Sequence, residues 1–436
     1  MARKRTLFRR ILRGFTGLLG IAIIGGTAWL ATLNRSTNKD LEALRKQGVP
    51  TSIEEFKQGL PHEGRSGESA YLTAFKAWNG LTPEQRKTLQ DLPTLLDQNA
   101  VKKDQATSEV LSQMTKLFRR AASTDWNDFL ARSGQPPTSQ EVKNLNAHLD
   151  ATISLLSQSA VFKAHRESPV DAFNEVLYAD RVASNHSRAA LGAKDIVGVL
   201  RQEKTVLDAW RKALAAGPSD PTYLRTADRI LNSFAPLPDL EHILRSEFVD
   251  GLAINDHLSS FQNAEGVKAP EGTQEKLMWQ IQRSLPAKYV RESHYVSAWK
   301  TAFSQLPKDP FDWQGYLHAV HKAFADSPKW KGIDGWNGMA TLDPVIVEWT
   351  RRLAERRMAG TAVAAMSQKL LTGKLPPHAP ILGEQSTDPF SGKPFGYRTS
   401  SKGFVIYSVD ADGRDDEGKP KGEKDQTGDI AQRYAA

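Results

Sequence analysis

The sequence predicts a mainly α-helical protein: an N-terminal transmembrane helix, a large helical domain and a small C-terminal antiparallel β element, α+β in chain order. Three observations carry that expectation. Phe15 to Leu33 (FTGLLGIAIIGGTAWLATL) is a run of nineteen residues without a charge. Between residues 36 and 325, apolar side chains recur at helical spacing between capping and breaking signals. Beyond Pro376 and Pro377 that spacing gives way to β-formers, above all GFVIYSV at 403–409.

At about 1.5 Å per residue the uncharged run covers roughly 28 Å, close to the thickness of a bilayer's hydrocarbon core. A helix bonds its backbone internally, so Gly20, Gly25 and Gly26 weaken it without presenting unpaired groups to lipid. Trp29 falls near the far end, where an indole suits the membrane interface. Arg3, Lys4, Arg5, Arg9, Arg10 and Arg13 precede the run with no acid among them, whereas Arg35, Lys39, Arg45 and Lys46 are interleaved with Asp40 and Glu42. The positive-inside rule makes residues 1–14 a cytoplasmic tail, 15–33 a single span in contact with membrane lipid, and everything from Asn34 an exported body. The same stretch also reads as a cleaved secretory signal with Gly26-Thr27-Ala28 as its small-residue site, and both readings export the body. With no cysteine in the chain, lipid acylation of a cysteine, disulfides, thiolate metal sites and cysteine nucleophiles are excluded.

The net charge of +8 suggests a nucleic-acid partner until it is divided. Seven of the 58 basic residues lie in the first 35 positions, leaving 51 against 50 acidic residues in the rest. The body is balanced and carries no basic run, so nucleic acid is not an expected partner.

Ser36 to Gln47 reads as a short helix ended by Gly48 and Pro50, and Ser52-Ile53-Glu54-Glu55 as a capping box opening a second. Glu68 to Asn79 places Tyr71, Leu72, Phe75 and Trp78 at helical spacing, and Thr82-Pro83-Glu84-Gln85 opens the next helix. A helical pattern runs from Pro93 to Leu130, and the long stretches Ser139 to Arg166 and Pro169 to Ala216 read as packed hairpins. Asp239 to Gln262, Thr273 to Arg283, Pro286 to Gln305 and Asp312 to Ala325 continue it, all within an exported helical domain over 36–325. Residues 326–344 (DSPKWKGIDGWNGMATLDP) read as a glycine- and tryptophan-containing loop. Residues 345–436 follow as a helix, with Arg351, Arg352, Arg356 and Arg357 on one side, then a β-hairpin (Phe395 to Thr399, Gly403 to Val409) and a charged tail.

Two groups of residues are candidate sites. Asp410, Asp412, Asp415 and Asp416 offer hard oxygens within one tight turn and are candidate calcium ligands, although the EF-hand spacing is not met. Trp330 and Trp336, in the polar loop, are candidate ligand-binding rings for a glycan or peptide; flat apolar faces with polar edges suit both. Six tryptophans fall between 279 and 349, and gap-filling between helices is the expected role of the others. His318 and His321 lie one helical turn apart but lack HExxH and are not assigned a metal. No nucleophile elbow, Walker A loop, Rossmann fingerprint or S-x-x-K set is present, and no catalytic residue is assigned.

Asp388-Pro389-Phe390, Gly392-Lys393-Pro394, Tyr397, Gly403 to Ser408 and the Asp410 to Asp416 turn resemble the C-terminal region of major pseudopilins of type II secretion systems, and tails of large planctomycete-type envelope proteins. The resemblance covers roughly the last fifth of the chain and implies a helix leading into a small antiparallel sheet, with a calcium-binding acidic loop after the YS strand. Gly14-Phe15-Thr16 resembles a pseudopilin processing site, but Leu19 stands where those proteins carry glutamate, which argues against pilus-like assembly. The expected function is that of a non-enzymatic, envelope-anchored binding or scaffolding protein meeting another envelope protein. A secretion-apparatus component and a cell-wall glycan hydrolase are the two competing classes.

Overall fold

The computed structural model describes residues 25–60, 68–89, 105–124, 139–166, 169–217, 220–258, 284–326, 338–419 and 428–435. Its helices are α1 (residues 25–46), α2 (Ile53–Gln58), α3 (Glu68–Asn79), α4 (83–89), α5 (Gln105–Ala122), α6 (Ser139–Arg166), α7 (Pro169–Ala189), α8 (Ala193–Ala216), α9 (Pro221–Asn232), α10 (Leu240–Leu258), α11 (Leu285–Ser304), α12 (Trp313–Ala325) and α13 (Gly338–Thr372). Three strands close the chain: β1 (Gly396–Ser400), β2 (Gly403–Ser408) and β3 (Ile430–Ala435). The mainly helical character and the small antiparallel sheet stand as expected. Among the described residues no helix is long and apolar enough to cross a membrane; residues 15–24 of the uncharged run lie outside them.

Local chemistry explains most of the boundaries, including those that differ from expectation. Helix α1 does not stop at Leu33 to restart at Ser36. No glycine or proline interrupts 27–47, and the hydroxyls of Thr32 and Thr37 bond back to Ala28 O (2.9 Å) and Leu33 O (3.0 Å) without breaking the ladder. Ser52 caps α2 by accepting from Glu55 N (3.1 Å), but the Glu55 carboxylate reaches one residue farther than a standard box and accepts from Thr51 N at 2.7 Å. Thr82 and Gln85 make the reciprocal pair at the start of α4, Thr82 N to Gln85 Oε1 (2.9 Å) and Gln85 N to Thr82 Oγ1 (3.2 Å). Within the stretch from Pro169 to Ala216, read as part of packed helical hairpins, the break falls at Gly192, whose φ of 79° is costly for residues with a Cβ.

Residues 338–344, expected as the end of a loop, are helical, with Pro344 inside α13. Proline there removes one backbone bond and costs about 3 kcal/mol. Leu342, Val345, Ile346 and Trp349 are all buried, at about 1.5–3 kcal/mol each, and that burial outweighs the breaker signal.

The described residues divide into two compact units, one from the chain up to Phe56 with Glu247–Ala340, the other from Lys57–Ser246 with Thr341–Ala436. The first unit packs α11 on α12 around an aromatic cluster. Its rings are Phe248, Tyr295, Trp299, Phe303 and Phe324, with Trp299 fully buried. Tyr295 Oη lies 3.1 Å from the carbonyl oxygens of Glu247 and Phe248, and it closes on Gly251 so tightly that an added Cβ would sit 2.0 Å from it.

The second unit is built on α6, α7 and α8, which pack against one another, with α3 on α5 and α9 on α7. Trp210, fully buried, donates to Ala227 O (3.1 Å) and packs against Phe173. The sheet, in order β1-β2-β3 and antiparallel throughout, joins this core through Phe395, Phe404, Ile406 and Tyr434. The expected hairpin is present, and β3 adds a third strand that the charged character of the tail concealed. The D-P-F-S-G-K-P stretch before it is organised by the buried carboxylate of Asp388, which accepts from Phe390 N (3.0 Å), Ser391 Oγ (3.0 Å), Ser408 Oγ (2.7 Å) and Val409 N (3.2 Å). Asp388→Ala strands these donors, the Ser408 hydroxyl in fully buried surroundings, and is expected to cost about 3 kcal/mol in denaturant unfolding, whereas exposed Lys393→Ala is expected to change stability by less than about 0.5 kcal/mol.

Candidate binding site

On one face of α6 lies a pocket of about 280 Å³ lined by Trp78, Leu89, Ala147, Asp150, Ala151, Ser154, Leu155 and Gln158. Its polar residues come from a single helix, Asp150, Ser154 and Gln158 standing four residues apart, so successive turns present them along one line. Trp78 from α3 and Leu89 from α4 supply apolar walls. Gln158 donates from Nε2 to Ser154 Oγ (2.9 Å), while its buried Oε1 meets no protein donor.

Behind the pocket a chain of polar side chains runs into the core. Asp150 Oδ1 accepts from Gln202 Nε2 (2.8 Å). That bond orients the amide, so Gln202 presents its carbonyl to His186 Nδ1 at 2.9 Å. His186 Nε2 faces Asp195 Oδ1 at 3.1 Å, and Asp195 also accepts from Asn146 Nδ2 (3.0 Å) and Leu191 N (3.1 Å). Asn146 and Asp150 are one turn apart on α6, Asp195 and Gln202 two turns apart on α8, and His186 reaches between them from α7. Both ring nitrogens of His186 meet oxygen acceptors, so both donate and the imidazole is held as a cation. Burial opposes that charge, but the hydrogen bond and field of Asp195 overcome it and raise the His186 pKa above its ordinary value. Burial likewise opposes the Asp195 carboxylate, and the contact with His186, with help from Asn146, brings its pKa below the ordinary one.

A second buried cluster includes Glu203, the next residue along α8 after Gln202. Arg356 of α13 pairs with Glu203 and lies 3.6 Å from Asp180, whose other oxygen accepts from Ala235 N (2.9 Å). Burial and the neighbouring Glu203 carboxylate push Asp180 up to about 7 against the pull of Arg356. Asp180 and Glu203 are facing carboxylates, but both sit in the core rather than in the pocket. A third buried acid, Glu175, is compensated by Arg119 and by Lys163 at 2.9 Å. The arginine side expected on α13 is therefore drawn inward: Arg352 is buried between Glu348 and Glu355, and Arg357 donates to Thr387 O at 3.1 Å.

The residues singled out from the sequence fall elsewhere. Asp410 is buried with φ 55°, and Arg351 grips its carboxylate through two bonds of 2.8 and 2.9 Å. Asp412 accepts from Arg414 N (3.0 Å) and Asp415 from Glu417 N (2.8 Å), while Asp416 is half-buried. Among the described residues no group of three or more histidines or carboxylates is placed to hold a metal ion, and with Asp410 neutralised by a guanidinium this turn does not fit calcium as it stands. Trp330 and Trp336 lie outside the described residues. Trp299 and Trp349 are core residues, Trp349 donating to Pro238 O at 2.7 Å. His318 is exposed and His321 half-buried on α12.

Sequence reading did not find the pocket or the relay behind it. The available signal was polar residues on the inner stripe of alanine-rich helices, S-N-H-S at 184–187 and Asp195 with Gln202, but which helix faces they meet depends on tertiary packing. No family model, curated protein or solved structure matches this chain.

The His186–Asp195 pair sets a pH window. The His186 contribution is complete below about pH 6.5 and is lost as pH rises through its raised folded value; that of Asp195 is present above about pH 4 and is lost as pH falls through its lowered one. His186→Leu is expected to cost about 3 kcal/mol at pH 6 in urea unfolding and measurably less at pH 9.5. Asp180 acts on the same limb: with a folded value of about 7 it makes stability fall between about pH 4 and pH 7. Asp180→Asn keeps an acceptor for Ala235 N, and is expected to flatten that fall and to gain about 1–2 kcal/mol at pH 8 in the same measurement.

Proposed function

We propose that the protein is a single-pass, envelope-anchored binding or scaffolding protein, its N-terminus in the cytoplasm and its body outside the cytoplasmic membrane, where it meets another envelope protein. The observation that carries this reading is the solvation of α1. Residues 25–36, which include Ala28, Trp29, Leu30, Ala31 and Leu33, contain no buried position, and burial begins only at Thr37. An apolar helical stretch without a buried residue among those described calls for another apolar solvent, and the uncharged run extends upstream to Phe15 behind six basic residues. The balanced charge of the body favours contacts of mixed polarity over electrostatic steering.

A role in a secretion apparatus draws its support from the hairpin and from Asp388, which gives the D-P-F and Y-S segments a shared structural purpose. It lacks the glutamate five residues into the matured helix, so the scaffold reading is preferred. The full chain expressed in a bacterial host is expected to stay with membranes through an alkaline wash. Protease added to intact spheroplasts is expected to remove an epitope placed after Ala436, while deletion of residues 1–33 leaves the body out of the membrane fraction. Protection of that epitope until lysis would reverse the topology.

A further inference from the structure

We propose that Asp180 of α7 and Glu203 of α8 hold one proton between them, and that this proton latches α13 and the turn after α9 onto the bundle of the second unit. The charges at this point do not balance. Two carboxylates, 1% and 3% exposed, face one guanidinium, and a single nitrogen, Arg356 Nη2, both donates to Glu203 Oε2 and stands 3.6 Å from Asp180 Oδ1. Asp180 Oδ1 is fully buried and has no hydrogen-bond partner at that distance. Arg356 Nη1 is engaged with Ala235 O, while Ala235 N donates to the other Asp180 oxygen. An ionised carboxylate oxygen removed from water without a donor is costly, and two like charges on one countercharge raise that cost further. A proton on Oδ1 cancels the excess charge and turns the orphaned acceptor into a donor beside Glu203.

The neighbouring elements supply no second cation to take the place of that proton. Arg181, next to Asp180 on α7, pulls on it less than Arg356 does. Arg119 of α5 and Lys163 of α6 pair with Glu175, and Arg225, Asp228 and Arg229 of α9 are exposed. Glu355 of α13 faces Arg352, Lys204 and Asp208, and the turn from Ser233 to Pro238 carries no titratable side chain. Burial and Glu203 together push Asp180 up to about 7, so the proton is bound at pH 6. The latch follows from Ala235, whose N–H is held by α7 and whose carbonyl is held by α13, with Phe234 under the same guanidinium and Pro238 O accepting from Trp349 of α13. Ionised Asp180 is relieved when water reaches it, as it does when α13 or this turn lifts. In the opened state the carboxyl titrates near pH 4, so opening becomes up to about tenfold easier per pH unit between about pH 4 and 7 and changes no further above that.

All of these residues belong to the second unit, so the inference stands or falls apart from the membrane topology. Infrared difference spectra of the full chain, solubilised in a detergent without carbonyl groups, read the proton directly. The carbonyl band of an un-ionised carboxyl is expected at about pH 6, shifted when aspartate is labelled with 13C at its carboxyl carbon, and lost by about pH 8.5. Asp180→Asn and Glu203→Gln are each expected to remove it at pH 6, because either leaves one carboxylate for one guanidinium. Absence of a label-shifted band at pH 6 overturns the proposal and needs no variant. A band that survives in Glu203→Gln also overturns it, since burial alone would then hold the proton. Hydrogen exchange, corrected for the intrinsic effect of pH, reads the latch. Over residues 233–241 and 350–360, opening is expected to rise about fivefold or more from pH 5 to pH 6.5 in the parent and less than about twofold in Asp180→Asn. That window lies below the loss of the His186 contribution, and Glu355 is common to both proteins. An equal rise in the two overturns the latch.

Discussion

The second unit depends on compensating charges that its long helices carry into the interior. Apolar packing between α6, α7 and α8 is non-directional, and Leu149, Ile153, Val176, Val182, Val206 and Leu207 would tolerate more than one rotation or register of these helices. Asp195 and His186 would not. An ionised carboxylate removed from water costs several kcal/mol unless its partners are in place, and a slip of one turn, about 5.4 Å, would separate Asp195 from Asn146 and His186 together. The ion pair adds modestly to stability and strongly to uniqueness: of the many ways three apolar stripes can meet, it admits the one in which α6 supplies Asn146 and Asp150, α7 the imidazole and α8 the carboxylate and amide.

The same logic joins α13 to the bundle and the sheet to α13. Arg356 places one cation between Glu203 and Asp180, reaching two helices at once, and its guanidinium also stands 5.6 Å over the ring of Phe234. Five residues earlier Arg351 holds Asp410 in a left-handed backbone conformation that an aspartate adopts at some cost and a bidentate guanidinium can repay. On the neighbouring strand, Gln432 donates to Glu355 O at 3.0 Å while accepting from Tyr434 Oη at 2.6 Å. The C-terminal sheet is thus continuous with the core of the second unit, and the acidic turn after β2 serves in part as an anchor for α13.

Much of the fold was legible because its signals are local. Asp220 before Pro221, Asp312 before Trp313, the reciprocal Thr82–Gln85 pair and the Gly48 turn are each decided within a few residues, and the helices begin or end where those residues stand. The errors have a common origin in contacts from afar. Pro344 reads as a stop, yet Leu342, Val345, Ile346 and Trp349 bury enough surface to carry α13 through it. The tail after Asp410 reads as solvated charge, yet Ile430, Gln432 and Tyr434 alternate onto a sheet face that only β2 provides. Asp410 looks like a ligand because the sequence does not say that Arg351, 59 residues away, will claim it.

Taken alone, the sequence determined a predominantly helical chain with a late switch to strands, the caps and breaks of its helices, and an uncharged N-terminal run, because each of these follows from propensity, periodicity or composition within a short window. Tertiary structure alone decided which polar residues meet. Asn146, His186, Asp195 and Gln202 are ordinary helix residues until three helices are laid side by side, and only then do a buried cation, its carboxylate and a pocket edged by Asp150 and Gln158 come into being. Hydrogen bonds of a few ångströms between residues 16 to 52 positions apart are set by helix rotation and packing depth, quantities that no local pattern encodes.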